Sequence, residues 1–158
     1  MRTGIGIDSH RFEAGRPLIL GGVEIPSDRG LVGHSDADVL THAVIDALLG
    51  AAGLGDIGQH FPDTDERWRD ADSMDLLRAV LGDVQGAGWA VGHVDVTVML
   101  ERPKLSPRRG AIGAALAEAL GVDRAQVNVK ASTGEGLGFV GRGEGVAALA
   151  VATLTADA

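Results

Sequence analysis

Cysteine is absent from the 158 residues, and so is tyrosine. Without thiols there are no disulfides and no thiolate ligands, so any metal must be held by imidazoles and carboxylates. Aromatic side chains are scarce, confined to Phe12, Phe61, Trp68, Trp89 and Phe139. Positive charge is scarce too: the formal net charge is −8, and lysine occurs only as Lys104 and Lys130. A nucleic-acid binder needs a basic field and stacking rings, so nucleic acid is not an expected partner. No apolar run has the length of a membrane span and no secretory or transit segment is read at the start, so neither a membrane nor export is expected and the expected compartment is the cytoplasm. At this length one domain, residues 1–158, with a sizeable core is the simplest organisation.

What is present is concentrated first in Met1–His10, with the pattern Gly4-Ile5-Gly6-Ile7-Asp8-Ser9-His10. In a strand alternate side chains share a face, so Asp8 and His10 point one way and Ile5 and Ile7 the other, which is read as the core side. Gly4 and Gly6 lie on the face of Asp8 and His10 and leave room for something to lie against the strand. An Asp-x-His pair supplies two ligands of a three-ligand metal site, with His42 the candidate third. A helix is read over Asp36 to Ala52, with Ser35 as its cap and acidic residues in its first turn. Val39, Leu40, Ala43, Val44, Ala47, Leu48 and Ala51 form its buried stripe, and His42 lies at the edge. Asp38 and Asp46 sit four residues to either side, so one of them could orient the imidazole. Two imidazoles and a carboxylate suit zinc with one open position. The plainer alternatives are a turn-capping Asp8, a solvated His10 and a His42 serving only in packing.

Further along, Pro17–Ile25 reads as a hairpin around Gly21-Gly22. Gly53–Asp65 is a glycine-punctuated loop carrying Asp56, Asp63 and Asp65, of a length usually functional or mobile. A second helix runs from about Ser73 to Gly86, capped by Asp72 or Ser73. Val91 to Glu101 alternates as a strand with Val94, Val96, Val98 and Leu100 on one face. Ser106-Pro107 opens a third helix that stops at Gly121. Val127–Lys130 and Gly143–Thr155 are the remaining strands. This order implies an α+β, ferredoxin-like sandwich, a mixed sheet with helices on one face, and an uncovered second face suited to association between subunits.

Three other stretches carry chemistry. Lys104, in Glu101–Ser106, either meets a phosphate or is a solvated turn lysine. Lys130–Phe139 either holds phosphate oxygens and a hard divalent cation or is only a glycine-rich hairpin. Arg142 and Glu144, framed by glycines, read as a structural ion pair.

Taken together, Gly4-x-Gly6-x-Asp8-x-His10, Gly33-His-Ser-Asp36 with His42, Leu54–Gly58, Phe61–Asp65, Pro103-Lys104, Asn128–Ala131 with Thr133 and Glu135, and Gly138–Gly145 closely resemble the 2-C-methyl-D-erythritol 2,4-cyclodiphosphate synthase family, across nearly the whole chain. The resemblance implies a zinc-dependent phosphorus–oxygen lyase of non-mevalonate isoprenoid biosynthesis. It would cyclise 4-diphosphocytidyl-2-C-methyl-D-erythritol 2-phosphate with release of CMP. Carried over, Asp8, His10 and His42 would hold one Zn²⁺ per subunit, and Glu135 a Mg²⁺ or Mn²⁺ bridging the phosphates. His34 and Thr133 would stabilise the transition state, with Ser35 nearby. Asp56, Ile57, Gly58, Phe61, Pro62, Asp63 and Asp65 would enclose the methylerythritol part. Leu100, Pro103, Lys104, Leu105, Ser106, Ser132, Thr133 and Glu135 would meet the cytidine diphosphate, with Phe139 and Arg142 completing the set; Lys130 has no assigned role. The resemblance also implies a bacterial homotrimer with sites between subunits, and an apolar central channel, open at Arg142 and Glu144, in which some members bind an isoprenoid diphosphate. Ser132 and Gly134 depart from the threonines of many members. A zinc phosphoester hydrolase and a non-catalytic binding module are the other classes these residues allow.

Overall fold

The computed structural model describes residues 1–157. The main sheet has the order β4-β1-β7-β5-β6, built from β1 (Arg2–Ala14), β4 (Arg29–Leu31), β5 (Trp89–Met99), β6 (Val127–Ser132) and β7 (Gly145–Ala156). The sheet is mixed: β5 and β6 run parallel, as the intervening helix allows, and every other pairing is antiparallel. A two-stranded sheet, β2 (Leu18–Leu20) with β3 (Val23–Ile25), turns at Gly21 and Gly22, both at positive φ, which glycine adopts without penalty. The helices are α1 (Val39–Ala52), α2 (Ile57–His60), α3 (Ser73–Gly86), α4 (Arg109–Leu120) and α5 (Gly138–Gly141). None of them is long and apolar enough to cross a membrane. The protein is thus a mixed α+β fold, as expected.

The packing of α1 on β1 decides where the site can form. Gly4 and Gly6 face α1, and a Cβ built on Gly6 would stand 1.9 Å from the Ala43 carbonyl oxygen. Only glycine lets the two backbones come this close. Ala148, Ala150 and Ala152 of β7 are buried on the same layer, keeping it thin. The expected orientation of β1 is therefore reversed: Ile5 and Ile7 are 60% and 67% exposed, not core residues. The space beside Gly4 and Gly6 belongs to the helix, and Asp8 and His10 are the continuation of the face that α1 covers. On the opposite face, Ile5 pairs with Val151 and Ile7 with Leu149 across the strands. This leaves an exposed apolar patch in the middle of the sheet.

The start of α1 also differs from expectation. The helix begins at Val39 with Asp38 as its cap, not at Asp36 with Ser35, and no acidic residue lies in its first turn. The physical reason is Ala37, whose φ of 58° breaks the helical path. Asp38 is fully buried and serves two elements at once. It accepts from the Thr41 amide at 3.0 Å and the Thr41 hydroxyl at 2.8 Å. It also accepts from the Gly21 and Gly22 amides at 2.9 and 2.8 Å. The hairpin turn is thereby fastened to the N-terminus of α1. Burial, helped by the nearby charge of Asp36, pushes its carboxyl pKa up, and these donors oppose the shift without cancelling it.

The second helix starts at Ser73 with Asp72 as cap, as read, whereas the third starts at Arg109, two residues beyond Pro107. The glycine-punctuated loop after α1 is ordered by α2 and by a 3₁₀ turn at Glu66–Trp68, neither of which was anticipated.

Candidate active site

Asp8 and His10 come from the middle of β1, which runs on to Ala14, and His42 comes from the first turn of α1. His10 Nε2 lies 2.8 Å from Asp8 Oδ2, His42 Nδ1 lies 3.0 Å from the same oxygen, and the two nitrogens are 3.3 Å apart. Around a tetrahedral ion with bonds of about 2.0–2.1 Å, ligand atoms stand roughly 3.3 Å apart. The imidazole–imidazole edge already has that length, and the two carboxylate edges are drawn in by hydrogen bonding. The donor set of one oxygen and two nitrogens therefore fits a zinc-type ion. It is the one group of His and acidic side chains so arranged among the described residues.

The surroundings prepare these atoms. His10 Nδ1 donates to the Val32 carbonyl at 2.7 Å, which turns Nε2 toward the cluster. His42 Nε2 lies 2.8 Å from Ser73 Oγ and 3.1 Å from Ser35 Oγ. Neither flanking carboxylate orients this ring, contrary to expectation. Asp38 is committed to its helix and hairpin, and Asp46 accepts from the Ile57 amide at 2.7 Å. Burial raises the Asp8 carboxyl, but hydrogen bonds and positive charge from His10 and His42 outweigh it and hold the pKa down to about 2. His10 is pushed down by burial but raised on balance by Asp8.

The triad opens onto a cleft of about 470 Å³ whose lining includes His34, Ser35, Ile57, Gly58, Phe61, Pro62 and Asp63. Gly33, Trp68 and Leu76 also line it and were not anticipated. Trp68 stands edge-on to Phe61 with ring centroids 4.9 Å apart, so it backs a residue that was read from the sequence. Asp56 and Asp65 are not among the lining residues. Asp56 caps α2, and Asp65 caps the 3₁₀ turn and pairs with Arg67 at 2.6 Å. The carbonyl of Asp65 does reach the site, accepting from His34 Nε2 at 3.0 Å.

A second hollow, of about 180 Å³, is lined by Leu100, Lys104, Leu105, Ser106, Ala131, Ser132 and Thr133. It shares no lining residue with the first. Pro103 lines a neighbouring depression with Arg29 and Arg102. Glu135, at a φ of 53°, accepts from the Thr133 hydroxyl at 3.3 Å and is exposed. Phe139 shares a small cavity with His10, and Arg142 forms an exposed ion pair with Glu144 at 2.7 Å, as read. Lys130, left without a role, binds Asp95 at 2.8 Å, and Asn128 donates to the same carboxylate at 3.0 Å.

Fold and site together define a small α+β protein with a one-carboxylate, two-imidazole group, of a kind able to hold a metal, at the mouth of a cleft. A family model described as the YgbB family matches residues 1–155, and the chain belongs to that family. It is 63% identical over 154 residues to 2-C-methyl-D-erythritol 2,4-cyclodiphosphate synthase of Salinibacter ruber, covering 98% of each chain. Among solved structures, the bifunctional IspDF of Campylobacter jejuni matches with a TM-score of 0.95 and 46% identity, over 98% of this chain and 42% of that one. A CDP-bound 2C-methyl-D-erythritol-2,4-cyclodiphosphate synthase matches with a TM-score of 0.90 and 43% identity, over 98% of this chain and all of that one.

Proposed function

We propose that this chain, acting as one domain in the bacterial cytoplasm, converts 4-diphosphocytidyl-2-C-methyl-D-erythritol 2-phosphate to the 2,4-cyclodiphosphate and CMP. The observation that carries the proposal is the convergence of Asp8, His10 and His42, within 2.8–3.3 Å, at the mouth of a polar and apolar cleft. It occurs in a chain so similar to a named synthase.

In this reaction an oxygen of the substrate's 2-phosphate forms a bond to the β-phosphorus. The bond from that phosphorus to the bridging oxygen breaks, and its electron pair leaves with CMP. No protein nucleophile is required. The protein's work is to fold the substrate so that the two ends meet, worth up to roughly 7–11 kcal/mol of barrier, and to offset charge on the phosphoryl oxygens. Asp8, His10 and His42 hold Zn²⁺, which when bound neutralises a β-phosphate oxygen. Glu135 holds the Mg²⁺ or Mn²⁺ that accompanies the diphosphate. His34, set by the Asp65 carbonyl, and Thr133 donate to phosphate oxygens, with Ser35 beside them. Ile57, Gly58, Phe61, Pro62 and Asp63 enclose the methylerythritol part, with Asp56 and Asp65 at its margin. Leu100 to Ser106, Ser132 and Thr133 receive the cytidine diphosphate.

The two hollows of one chain being separate supports a site completed by a neighbour. A ferredoxin-like sandwich with helices on one face would bring three chains together through the exposed Ile5, Ile7, Leu149 and Val151. Phe139 and Arg142 then lie near the axial channel, a place for an isoprenoid diphosphate. Incubation with the cytidyl substrate, followed by phosphorus NMR, tests the reaction. Cyclic product with stoichiometric CMP is expected, a linear product would make the protein a hydrolase, and no turnover with zinc bound would leave a binding module. His42→Ala should lose zinc and turnover together.

A further inference from the structure

The imidazole of His42 has two hydroxyls near Nε2, and a hydroxyl can donate or accept. Which it does decides the tautomer, and so whether Nδ1 offers a lone pair to the Asp8 cluster. Asp8 Oδ2, 3.0 Å from Nδ1, favours a proton there, and Ser73, the first residue of α3, is the group that opposes it. Its own hydroxyl donates to Asp36 Oδ1, and its amide donates to Asp36 Oδ2 at 3.0 Å. With its hydrogen committed to a carboxylate, Ser73 Oγ can only accept from His42 Nε2, at 2.8 Å. The side chain of Ser73 is fully buried, so no water competes for that hydrogen. Asp36 is itself fixed, taking the Asp38 amide at 3.1 Å while its own amide donates to the Ala71 carbonyl at 3.0 Å. Ser35 differs: its oxygen is 3.1 Å from Nε2 and accepts weakly from the Ala37 amide at 3.3 Å. With a proton on Nε2 the ring cannot accept from Ser35, whose hydroxyl hydrogen is then available to a ligand in the cleft.

We propose that Asp36 and Ser73 form a positioning relay that keeps the proton of His42 on Nε2 and its coordinating lone pair on Nδ1. The relay rests on the metal-site reading above and adds a control from α3 over a ligand of α1. The pair acts through His42 and touches neither substrate nor metal.

The test begins with metal-free wild-type protein at alkaline pH. Long-range ¹H–¹⁵N spectra should show His42 as the Nε2–H tautomer. Zinc titration against a chromophoric chelator establishes the wild-type affinity, and no zinc binding by the wild type would overturn the metal reading itself. Ser73→Ala should weaken zinc about 10–100-fold, the usual effect of losing such a partner, and allow a mixture of tautomers. Ser73→Thr, which restores a hydroxyl, should recover the tautomer signature. A predominantly Nδ1–H tautomer in the wild type would overturn the relay without any variant. So would a folded Ser73→Ala protein with wild-type zinc affinity and an unchanged tautomer.

Discussion

The close approach of β1 to α1 at Gly6 offers the sharpest test of this architecture. In Gly6→Ala the new methyl would sit 1.9 Å from the Ala43 carbonyl oxygen and 2.7 Å from the Ala47 amide nitrogen. Ordinary contact begins at 3.4 Å, so the helix must retreat by about 1.5 Å, or the strand must bend. Neither neighbour is the tip of a flexible side chain, so the strain spreads through α1. Overpacking of this kind costs about 1–3 kcal/mol. At about 2–4 °C per kcal/mol for a chain of this size, melting should fall by roughly 2–12 °C. The substitution also reaches the metal group, since His42 directly precedes Ala43. Lifting α1 draws His42 Nδ1 away from Asp8 Oδ2, now 3.0 Å distant, whereas ligand distances tolerate only about 0.2 Å. Zinc affinity should therefore fall about tenfold or more. Melting by circular dichroism in chelator, with chelator competition for zinc, measures both. Gly82→Ala is the matched control: the site is exposed on α3 with open space around it, and the change should stabilise by about 0.5–1 kcal/mol. A Gly6→Ala protein that melts with the wild type and binds zinc equally would refute the account of this packing.

Other outcomes follow from the same structure. Burial opposes ionisation of Asp8, but its imidazole partners hold it near 2, below its ordinary 3.8; burial likewise opposes protonation of His10, which Asp8 raises above 6.5. In the metal-free protein their pairing should stabilise fully between about pH 4 and 6.5, fading as pH falls through the Asp8 value or rises through the elevated His10 value. Zinc requires neutral His10, so its apparent affinity should decline as pH falls, starting above 6.5; calorimetric titration at several pH values would show this, and a flat profile would contradict it. Asp38→Ala removes the acceptor of four donors, several of them buried, and should destabilise by at least about 3 kcal/mol in urea unfolding. Ile7→Lys places charge in the exposed apolar patch, and the trimer proposed above then predicts a lower mass by light scattering; an unchanged mass would remove this face from that proposed interface.

The candidate metal group was legible because its three side chains follow short rules. The Asp-x-His spacing puts both side chains on one strand face, and His42 falls in the first turn of a strongly periodic helix. The hairpin at Gly21-Gly22, the second helix and the Val94–Val98 strand were legible for the same reason: local periodicity and glycine placement carry them. The facing of β1 was misread because a glycine in a strand marks closeness without saying to what, and the isoleucines beside it look like core. The cap at Asp38 was hidden by the left-handed Ala37, which has no sequence signature. The contribution of Ser73 to His42 spans 31 positions of chain and rests on tertiary packing alone.

β1 carries α1 on one face and an exposed apolar row on the other, and this bears on how the gene can change. From Gly4 to His10 odd and even positions have different obligations, so deleting or inserting a single codon there would invert every later side chain in the stretch. Methyl-bearing residues would be driven under the helix and the acid and imidazole turned outward in one step. Point substitutions can erode this segment gradually, but a frame-preserving single-residue indel has no mild form, and length variation should instead collect in the turns that flank it.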